Sequence, residues 1–302
     1  MTQEHQGMEL LVVGHFSRDL LVTPELTREA LGGGVAYAML GPPLGALGVG
    51  VMSRVGTDFE AEYLRALKES GINITGIRTS GPRSTRFVNR YDADGRRTQS
   101  IDALAPPLRA EDYLPQHMRA SIVHFCPLTA NEVHISCIEA ARGSGALVSL
   151  DVQGYLRESK TGPVQNREWT ERDEVLRLVD VVKADDVELL MSVPGKTEYE
   201  AVRKVLSQGP RILLVTRERR GSTIYTQHSR IDIPVVLPSR YMDTTGCGDT
   251  YAMSFLLEYV RCGDIRRAGL FAATCASFNI ETIGPYGMPS RADVERRMQA
   301  YL

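Results

Sequence analysis

Short apolar runs alternate with helix-like segments along much of the chain, and this alternation restricts the fold more than any other feature. Runs such as SIVHFCPL and RILLVTRERRG are typical of buried strands, and amphipathic segments such as EYEAVRKVLSQG are typical of helices. Strands that are apolar on both faces and are joined by helices form a parallel sheet with helices on each side. We therefore predict an α/β fold with three layers around a doubly wound, mainly parallel sheet, formed by residues 1–302 as a single domain.

One segment departs from this alternation of strands and helices. In the stretch ITGIRTSGPRSTRFVNRYDADGRRTQSI, Thr, Arg and Tyr alternate around the turn signal Asp94-Gly95, which predicts a β-hairpin. We predict that the hairpin belongs to a small β-sheet lid formed by about 15–32 and 74–104. A lid of this kind excludes water when it closes over a substrate. A hairpin at a sheet edge without that role is the alternative.

Charge and cysteine usage narrow the class of protein. The net charge is −2, which gives no basis for non-specific binding to nucleic acid. The five cysteines are an odd number without a CxxC motif, which is typical of reduced thiols in the cytosol. The chain shows no signal-peptide pattern and no run of about 18 apolar residues. We expect a soluble cytoplasmic protein without a nucleic-acid or membrane partner.

The segment YMDTTGCGDTYAMSFLLEYV places a glycine-rich turn directly before an apolar helical run. Its two glycines allow backbone angles that other residues avoid and let a ligand approach the backbone. The free N–H groups and the dipole at a helix start favour an anion such as phosphate. Asp249 brings negative charge to this position. It is either an ordinary helix cap or a general base beside a transferring phosphoryl group.

Two common nucleotide-binding loops are absent. MSVPGKTEY ends like a phosphate-binding loop, but Leu190 stands where GxxxxGK[ST] requires its first glycine. GVGVMS departs from the dinucleotide pattern GxGxxG at Ser53. The six histidines include no HExxH motif or other zinc-ligand spacing. An NAD-dependent enzyme or a zinc enzyme is therefore not indicated.

The turn before Asp249 resembles a known signature. DTTGCGDTY is similar to the D-T-x-G-A-G-D pattern of the ribokinase-like (PfkB) carbohydrate kinase family, with Cys247 in the place of Ala. Other segments resemble the family's motifs in the same order along the chain. They are VVGHFSRDLL, LGGGVAYAMLGPPLGALG, SRVGTDFEAEYLRALKESGIN, VVKADDVELL, LLVTRERRGSTIY and IGPYGMPSRADV. The resemblance covers nearly the whole chain.

The resemblance implies a phosphoryl-transfer site. Asp249 would be the catalytic base, and the N–H groups of Gly246, Cys247 and Gly248 would form the anion hole. The cofactors would be ATP and Mg²⁺. Asp185 and Glu188 would position the metal, partly through water, although Asp185 replaces the Asn of the family's N-x-x-E motif. The residues assigned to nucleotide binding are Asp185, Thr216, Gly221, Thr245 and Gly287.

A second group of residues is assigned to the substrate. The assigned residues are Asp19, Gly33, Gly34, Tyr37, Thr85, Asn89 and Gln153. Asp19 and the two glycines match the sugar-binding motifs, while a turn-forming role is the alternative for each. Thr85 and Asn89 share one face of the predicted hairpin because strand side chains alternate. Gln153 and Arg157 follow the carboxyl end of a strand, where open α/β sheets bind ligands; Arg157 faces either phosphate or solvent.

The resemblance implies an ATP-dependent kinase that phosphorylates a hydroxyl of a small polyol. LVVGHFSRDLLV, SLDVQGYLR and VVKADDVELL most resemble myo-inositol kinases, and Tyr37 stands where ribokinases carry an Asn for the sugar. Another sugar or nucleoside kinase of the family and a non-catalytic sugar- or nucleotide-binding protein are the alternatives. The exposed edge of the predicted lid also suggests a homodimer formed through it.

Overall fold

The computed structural model of the chain describes residues 7–92, 94 and 96–302. Fourteen strands form within this part of the chain: β1 (Leu10–Val13), β2 (Ser17–Val22), β3 (Thr27–Gly32), β4 (Val49–Val55), β5 (Asn73–Thr79), β6 (Arg86–Tyr91), β7 (Arg97–Ala103), β8 (Ile122–Phe125), β9 (Leu147–Asp151), β10 (Gly162–Pro163), β11 (Val181–Asp185), β12 (Ile212–Thr216), β13 (Ser222–Tyr225) and β14 (Arg230–Ile233). The α-helices described there are α1 (Ala61–Glu69), α2 (Ile135–Ser144), α3 (Arg172–Leu176), α4 (Asp186–Ser192), α5 (Glu198–Leu206), α6 (Cys247–Cys262), α7 (Ile265–Asn279) and α8 (Arg291–Met298).

Nine strands form the large sheet, in the order β14-β13-β12-β11-β9-β8-β1-β4-β5. The strands from β12 to β5 are parallel, and β13 and β14 add an antiparallel edge. Leu10 of β1 pairs with Val49 on one side and with Ile122 on the other. The strand order therefore reverses beside β1, and open α/β sheets bind ligands outside the carboxyl ends of their strands at such a point.

Alternate residues of β1 pack into two different cores. Leu10 and Val12 join side chains of α6, α7 and α8 in one core. Leu11 and Val13 join side chains of α2, α3 and α5 in the other. All four are fully buried, and each buried aliphatic side chain of this size stabilises the fold by about 1.5–3 kcal/mol. Helices thus cover both faces of the large sheet, which confirms the predicted three-layer α/β fold.

A small sheet in the order β10-β7-β6-β2-β3 lies apart from the large one. The predicted hairpin is present as the antiparallel pair β6 and β7, although Gly95 of its turn lies outside the described residues. The predicted boundary at residue 74 is wrong, because β5 pairs in parallel with β4 of the large sheet. Gly76 makes this pairing possible, since a Cβ there would strike the Val51 carbonyl and the His117 ring.

Two segments near the carboxyl edge of the large sheet differ locally from the prediction. The glycine cluster enters a 3₁₀ segment over Gly34–Leu40 and not an α-helix. The segment after β11, which the sequence suggests is a loop, is helix α4. Asp185 caps this helix, and Glu188 returns a hydrogen bond to the Asp185 amide, so the two form a capping box. In the described part of the chain, no helix has the length and apolar character needed to cross a membrane.

Candidate active site

A single cleft of about 1690 Å³ lies between the carboxyl edge of the large sheet and one face of the small sheet. Pockets for one small ligand have volumes of about 300–1,000 Å³, so this cleft has room for two. Asp151, Lys183 and Thr216, which lie at or near the carboxyl ends of β9, β11 and β12, line the large-sheet wall. The side chains that line the small-sheet wall alternate along their strands: Asp19, Leu21, Phe87, Asn89, Tyr91, Arg97 and Gln99.

The glycine turn, defined here as residues 245–249, lies at the middle of the cleft. Gly246 precedes α6 with a φ of 76°, and the ring of Tyr37 occupies the space that a Cβ at this position would need. The amides of Gly246 and Gly248 donate no hydrogen bond to a described residue, whereas the Cys247 amide donates to the Thr244 carbonyl at 3.3 Å. Two of the three amides predicted for the anion hole are thus available to a ligand.

Asp249 lies in the first turn of α6, half-buried at the base of the cleft. Its Oδ1 atom occupies the position that a Cβ on Gly34 would take, so only glycine at position 34 leaves room for the carboxylate. Burial raises the pKa of Asp249 to about 7, and the negative charge of Asp151 adds to this while Lys183 opposes it. A carboxylate that titrates near neutral pH is suited to accept a proton from a hydroxyl group.

Lys183 is a site residue that the sequence analysis missed. Its Nζ lies 2.9 Å from Asp151 Oδ2 and 3.7 Å from Glu188 Oε2. A Cβ built on Gly248 would lie 2.8 Å from the same Nζ, which places the ammonium group directly against the glycine turn. Burial opposes its charge, but Asp151 and Glu188 hold the pKa of Lys183 above its usual value. Lys183 therefore stays protonated and adds positive charge where the turn binds an anion.

The predicted metal ligands Asp185 and Glu188 both line the cleft. Asp185 Oδ1 accepts from the Glu188 amide at 2.7 Å, and Glu188 Oε2 accepts from the Asp185 amide at 2.7 Å. Among the residues described, no three His, Cys, Asp or Glu side chains are grouped to hold a metal ion on their own. Mg²⁺ commonly takes only one or two carboxylates and completes its shell with phosphates and water, so this pair of acids fits a bound Mg²⁺.

Asp19 and Asn89 both line the small-sheet wall, which we call the acceptor end of the cleft. Asp19 Oδ1 is buried without a hydrogen-bond partner in the described structure, and burial raises the pKa of Asp19 to about 6. Asn89 Oδ1 accepts from Gln99 Nε2 at 2.9 Å. Gly33 has a φ of 87°, and a Cβ there would strike the His15 carbonyl, so this position requires glycine. Asp19 lines the cleft, so its carboxylate can accept a hydrogen bond from a ligand hydroxyl.

Thr216, Gly221 and Thr245 line the opposite part of the cleft, which we call the donor end. This end also contains an apolar group that the sequence analysis did not single out. The group consists of Val236, Ala273, Ala276, Ile280, Ile283 and Tyr286. Its members come from the segment before the glycine turn, from α7 and from the segment after α7, so only the folded chain brings them together. An apolar surface of this kind suits a nucleobase.

Comparisons with known proteins agree with this geometry. Residues 10–291 match the pfkB family carbohydrate kinase. The chain is a PfkB family carbohydrate kinase. The cytidine kinase of Thermococcus kodakarensis is 26% identical over 262 residues, which are 84% of this chain and 89% of that kinase. The predicted family is thereby confirmed.

Two solved structures extend the comparison of this PfkB kinase to its fold. The nucleoside kinase of Methanocaldococcus jannaschii superposes with a TM-score of 0.81 at 25% identity and covers 98% of this chain and 99% of its own. A pyrophosphate-dependent kinase in the ribokinase family, complexed with a pyrophosphate analog and myo-inositol, superposes with a TM-score of 0.80 at 25% identity. That alignment covers 95% of this chain and 99% of the other. The predicted ribokinase-like fold is confirmed.

Two residues of the PfkB kinase that the sequence assigned to ligands lie outside the cleft, and a third lines it but is almost fully buried. Thr85 is fully buried outside the cleft, where its hydroxyl lies 2.9 Å from His15 Nδ1 and accepts from the Ala105 amide at 3.0 Å. Gly287 does not line the cleft, although Tyr286 does. Tyr37 lines it but is only 3% exposed, and its hydroxyl donates to the Thr245 carbonyl at 3.1 Å. The structure therefore corrects Thr85 and Gly287 and gives Tyr37 a supporting contact beneath the glycine turn.

Gln153 follows β9 at the boundary between the two walls of the cleft. Its amide donates to Asp151 Oδ1 at 3.0 Å, and its Nε2 donates to Glu188 Oε1 at 3.2 Å. It lines the cleft as predicted but also links the acids of β9 and α4. Arg157, four residues later, lines the same cleft, which favours a ligand-facing position over a solvent-facing one.

Proposed function

We propose that this PfkB kinase transfers the γ-phosphoryl group of ATP to a hydroxyl group of a small polyol such as myo-inositol. One observation carries the proposal: Asp249, whose pKa lies near neutrality, stands beside free amides in a cleft with room for two ligands. A protein that only binds sugar or nucleotide has no use for a base at the anion site. The acid at position 249 therefore favours an enzyme over a non-catalytic binding protein.

In the proposed chemical step, Asp249 is the general base. The carboxylate accepts the proton of the acceptor hydroxyl while the hydroxyl oxygen forms a bond to the γ-phosphorus. The bond between that phosphorus and the oxygen bridging to the β-phosphate breaks, and its electron pair leaves with ADP. Phosphoryl transfer depends mainly on positioning and charge neutralisation. The amides of Gly246 and Gly248, together with the Lys183 ammonium, supply positive charge at this point.

Asp185 and Glu188 are the residues that would hold Mg²⁺, partly through water, since both line the cleft beside Lys183. The metal would neutralise negative charge on the nucleotide phosphates. The capping box fixes the two acids at the start of α4, so their orientation is set before any ligand binds. Fixed charges of this kind act without reorganisation during the reaction.

ATP is proposed as the donor because the donor end of the cleft has an apolar wall. Val236 is buried, while Ala276 and Ile280 lie beside Thr245 along the same cleft. A nucleobase buries apolar surface against such a wall, and inorganic pyrophosphate has none to bury. A structural relative is pyrophosphate-dependent, which makes pyrophosphate the second donor to test.

Two residues on the small-sheet wall support a polyol acceptor. They are Asp19, whose Oδ1 atom has no hydrogen-bond partner in the described structure, and Asn89. Myo-inositol is the first candidate because a structure of similar fold was solved with it. The curated relatives also include a cytidine kinase, so nucleosides belong to the same screen. In this proposal the small sheet closes over the acceptor as a lid and excludes water.

The test is a screen of ADP formation with Mg·ATP and one acceptor at a time, including myo-inositol, ribose, fructose and the common nucleosides. We expect at least one polyol or nucleoside to raise ADP formation far above the rate without acceptor. Pyrophosphate replaces ATP in a parallel series, with phosphate release as its readout. If no acceptor stimulates turnover with either donor, the kinase proposal is rejected.

The small sheet also suggests a mode of assembly. Strand β3 lies at its edge, and unpaired edge strands are common sites of pairing between subunits. We propose a homodimer formed through this edge. Sedimentation velocity at micromolar concentration would detect it, and a monomer at all concentrations would contradict it.

A further inference from the structure

Four arginines line the cleft, namely Arg28, Arg97, Arg157 and Arg219. Within the described structure, none of them forms an ion pair with a carboxylate, and none donates a side-chain hydrogen bond. Arg219 lies at the donor end and stacks on Tyr241, with 5.7 Å from its guanidinium carbon to the ring centroid. Arg18, outside the cleft, shows the opposite pattern, because it pairs with three acids: Glu29, Asp58 and Glu60. The described part of the cleft thus contains arginines that form no ion pair with a protein carboxylate.

The loop after β9 brings Arg157 to the acceptor end. Strand β10 of this loop pairs with β7 of the small sheet, and the Val164 amide donates to the Gln99 carbonyl at 3.0 Å. Arg157 is half-buried, and burial lowers the pKa of its guanidinium. Arg97 lies on β7, two residues before Gln99, on the face that lines the cleft. The two arginines therefore stand on adjoining segments.

Arg97 is close enough to both neighbours to influence their titration. Its positive charge lowers the pKa of Arg157, and it also lowers the pKa of Asp19, although burial still raises the latter overall. Arg157 is partly withdrawn from water, whereas Arg97 is exposed, and their like charges repel each other. Glu188, Asp151 and Asp249 offset part of the charge of Arg157 but form no ion pair with it in the described structure. An anion bound between them removes this repulsion. Guanidinium groups bind phosphate and carboxylate oxygens through paired hydrogen bonds, which suits them to this task.

We propose that the polyol acceptor of this kinase carries an anionic group, either a phosphate monoester or a carboxylate, and that Arg97 and Arg157 bind it. The inference rests on the proposed kinase function and specifies its substrate class. Asp19 would bind the hydroxyl-bearing end of the same molecule, while the reacting hydroxyl lies at Asp249. The donor nucleotide is a less suitable partner for Arg97, because Arg97 belongs to the small-sheet wall with Asp19.

The test compares acceptors that differ in charge but keep the polyol. Ribose is paired with ribose 5-phosphate, myo-inositol with a myo-inositol monophosphate, and glucitol with gluconate. We expect the anionic member of at least one pair to have a kcat/KM at least about tenfold higher than the neutral member. The phosphate and carboxylate arms show which anion is recognised. Equal or better use of the neutral member in every pair would overturn the inference while leaving the kinase proposal intact.

Two variants connect the preference to the arginines. Each of the variants Arg97→Gln and Arg157→Gln should raise the KM for the anionic acceptor about tenfold or more. The KM for the neutral acceptor should change little. Arg90→Gln is the matched control, since Arg90 is exposed on the other face of the same hairpin and does not line the cleft. If Arg157→Gln lowers kcat equally for both members of a pair, Arg157 serves the transferring phosphoryl group and its assignment here is wrong.

A binding measurement separates this inference from the kinase proposal. Titration calorimetry of ribose 5-phosphate and gluconate into Asp249→Asn requires no turnover. Binding of either anion that is lost in the Asp249→Asn, Arg97→Gln double variant would support the anion site even if no phosphoryl transfer were found. Absence of binding together with absence of any charge preference in turnover would reject it.

Discussion

The two walls of the cleft differ in how far their polar groups are already satisfied. On the large-sheet wall, Lys183 is paired with Asp151 and Glu188, and Glu188 is also bonded to the Asp185 amide. On the small-sheet wall, Asp19 has an oxygen without a partner in the described structure, and Arg97 has no ion pair there. A fixed network suits the chemical step, whereas open groups suit recognition of a ligand. The large-sheet wall should therefore govern kcat and the small-sheet wall should govern KM.

The largest effect should come from the base. Asp249→Asn keeps the size of the side chain but removes the group that accepts the proton. We expect kcat to fall by about 10²–10⁴ with little change in KM for either substrate, since a positioned base contributes about this factor. Steady-state ADP formation with the best acceptor measures both constants. A kcat near that of the unmodified enzyme would show that Asp249 is not the base.

The second prediction concerns how the activity depends on pH through the charged groups of the same wall. Because the pKa of Asp249 is about 7 in the ligand-free chain, kcat/KM should decline as the pH falls below 7 and the carboxylate becomes protonated. Asp151 raises this pKa and Lys183 lowers it. Asp151→Asn should therefore move the acidic limb of the profile to lower pH, and Lys183→Met should move it to higher pH.

Both substitutions disturb a buried network, which can destabilise the fold. Asp151→Asn leaves Lys183 paired with Glu188 alone, and Lys183→Met leaves Asp151 and Glu188 without their cation. The double variant Asp151→Asn, Lys183→Met removes both charges and controls for this effect. The acidic limb of the pH profile of the double variant should lie between the acidic limbs of the two single variants. If the single variants fold and their limbs coincide, the network does not set the proton affinity of Asp249.

The third prediction addresses the small-sheet wall. Asp19→Asn removes the negative charge of an oxygen that has no described partner, so it should raise KM for the acceptor by about tenfold and change kcat less. The KM for ATP should stay unchanged. Asp102→Asn is the control, because Asp102 lies on β7 outside the cleft and pairs with Arg83 at 2.6 Å. A fall in kcat without a change in acceptor KM would remove the distinction between the two walls.

The sequence predicted the large-sheet wall better than the small-sheet wall, for physical reasons. Apolar strands such as β8 and β12 are recognisable from local pattern alone, and the glycine turn places Asp249 without reference to distant residues. Strand β5 alternates like a hairpin strand, and only its pairing with β4 reveals which sheet it joins. The burial of Thr85 depends on His15, which is 70 residues away in sequence. Pairing and burial of this kind have no local signature.

Lys183 is different, because a local signal for it existed. It is a charged residue inside the apolar run VVKAD, and a lysine in a buried strand requires a counter-charge. Asp151, at the carboxyl end of the neighbouring strand β9, is the acid that supplies this counter-charge. By contrast, the apolar group at the donor end combines residues from three separate segments, and no single stretch of sequence contains it.

The smallest predicted effect concerns how far Asp249 on the large-sheet wall lowers the free energy of unfolding. Asp249 has a pKa of about 7 in the folded chain and about 3.8 as an ordinary side chain. Between these values, a rise in pH ionises Asp249 in the unfolded chain but not in the folded one, so the folded state loses free energy relative to the unfolded state. Asn cannot ionise, so Asp249→Asn should be more stable, and its advantage should grow from pH 5 to pH 8.

Thermal unfolding without ligands at the two pH values measures this difference. We expect a rise in Tm of several degrees at pH 8 and a smaller one at pH 5. Asp102→Asn should show no such pH-dependent gain, because that carboxylate is half-exposed outside the cleft. Equal gains at both pH values would mean that the substitution acts through packing and not through the charge of the base. A gain confined to the higher pH would identify the charge that serves the reaction as the one that opposes folding.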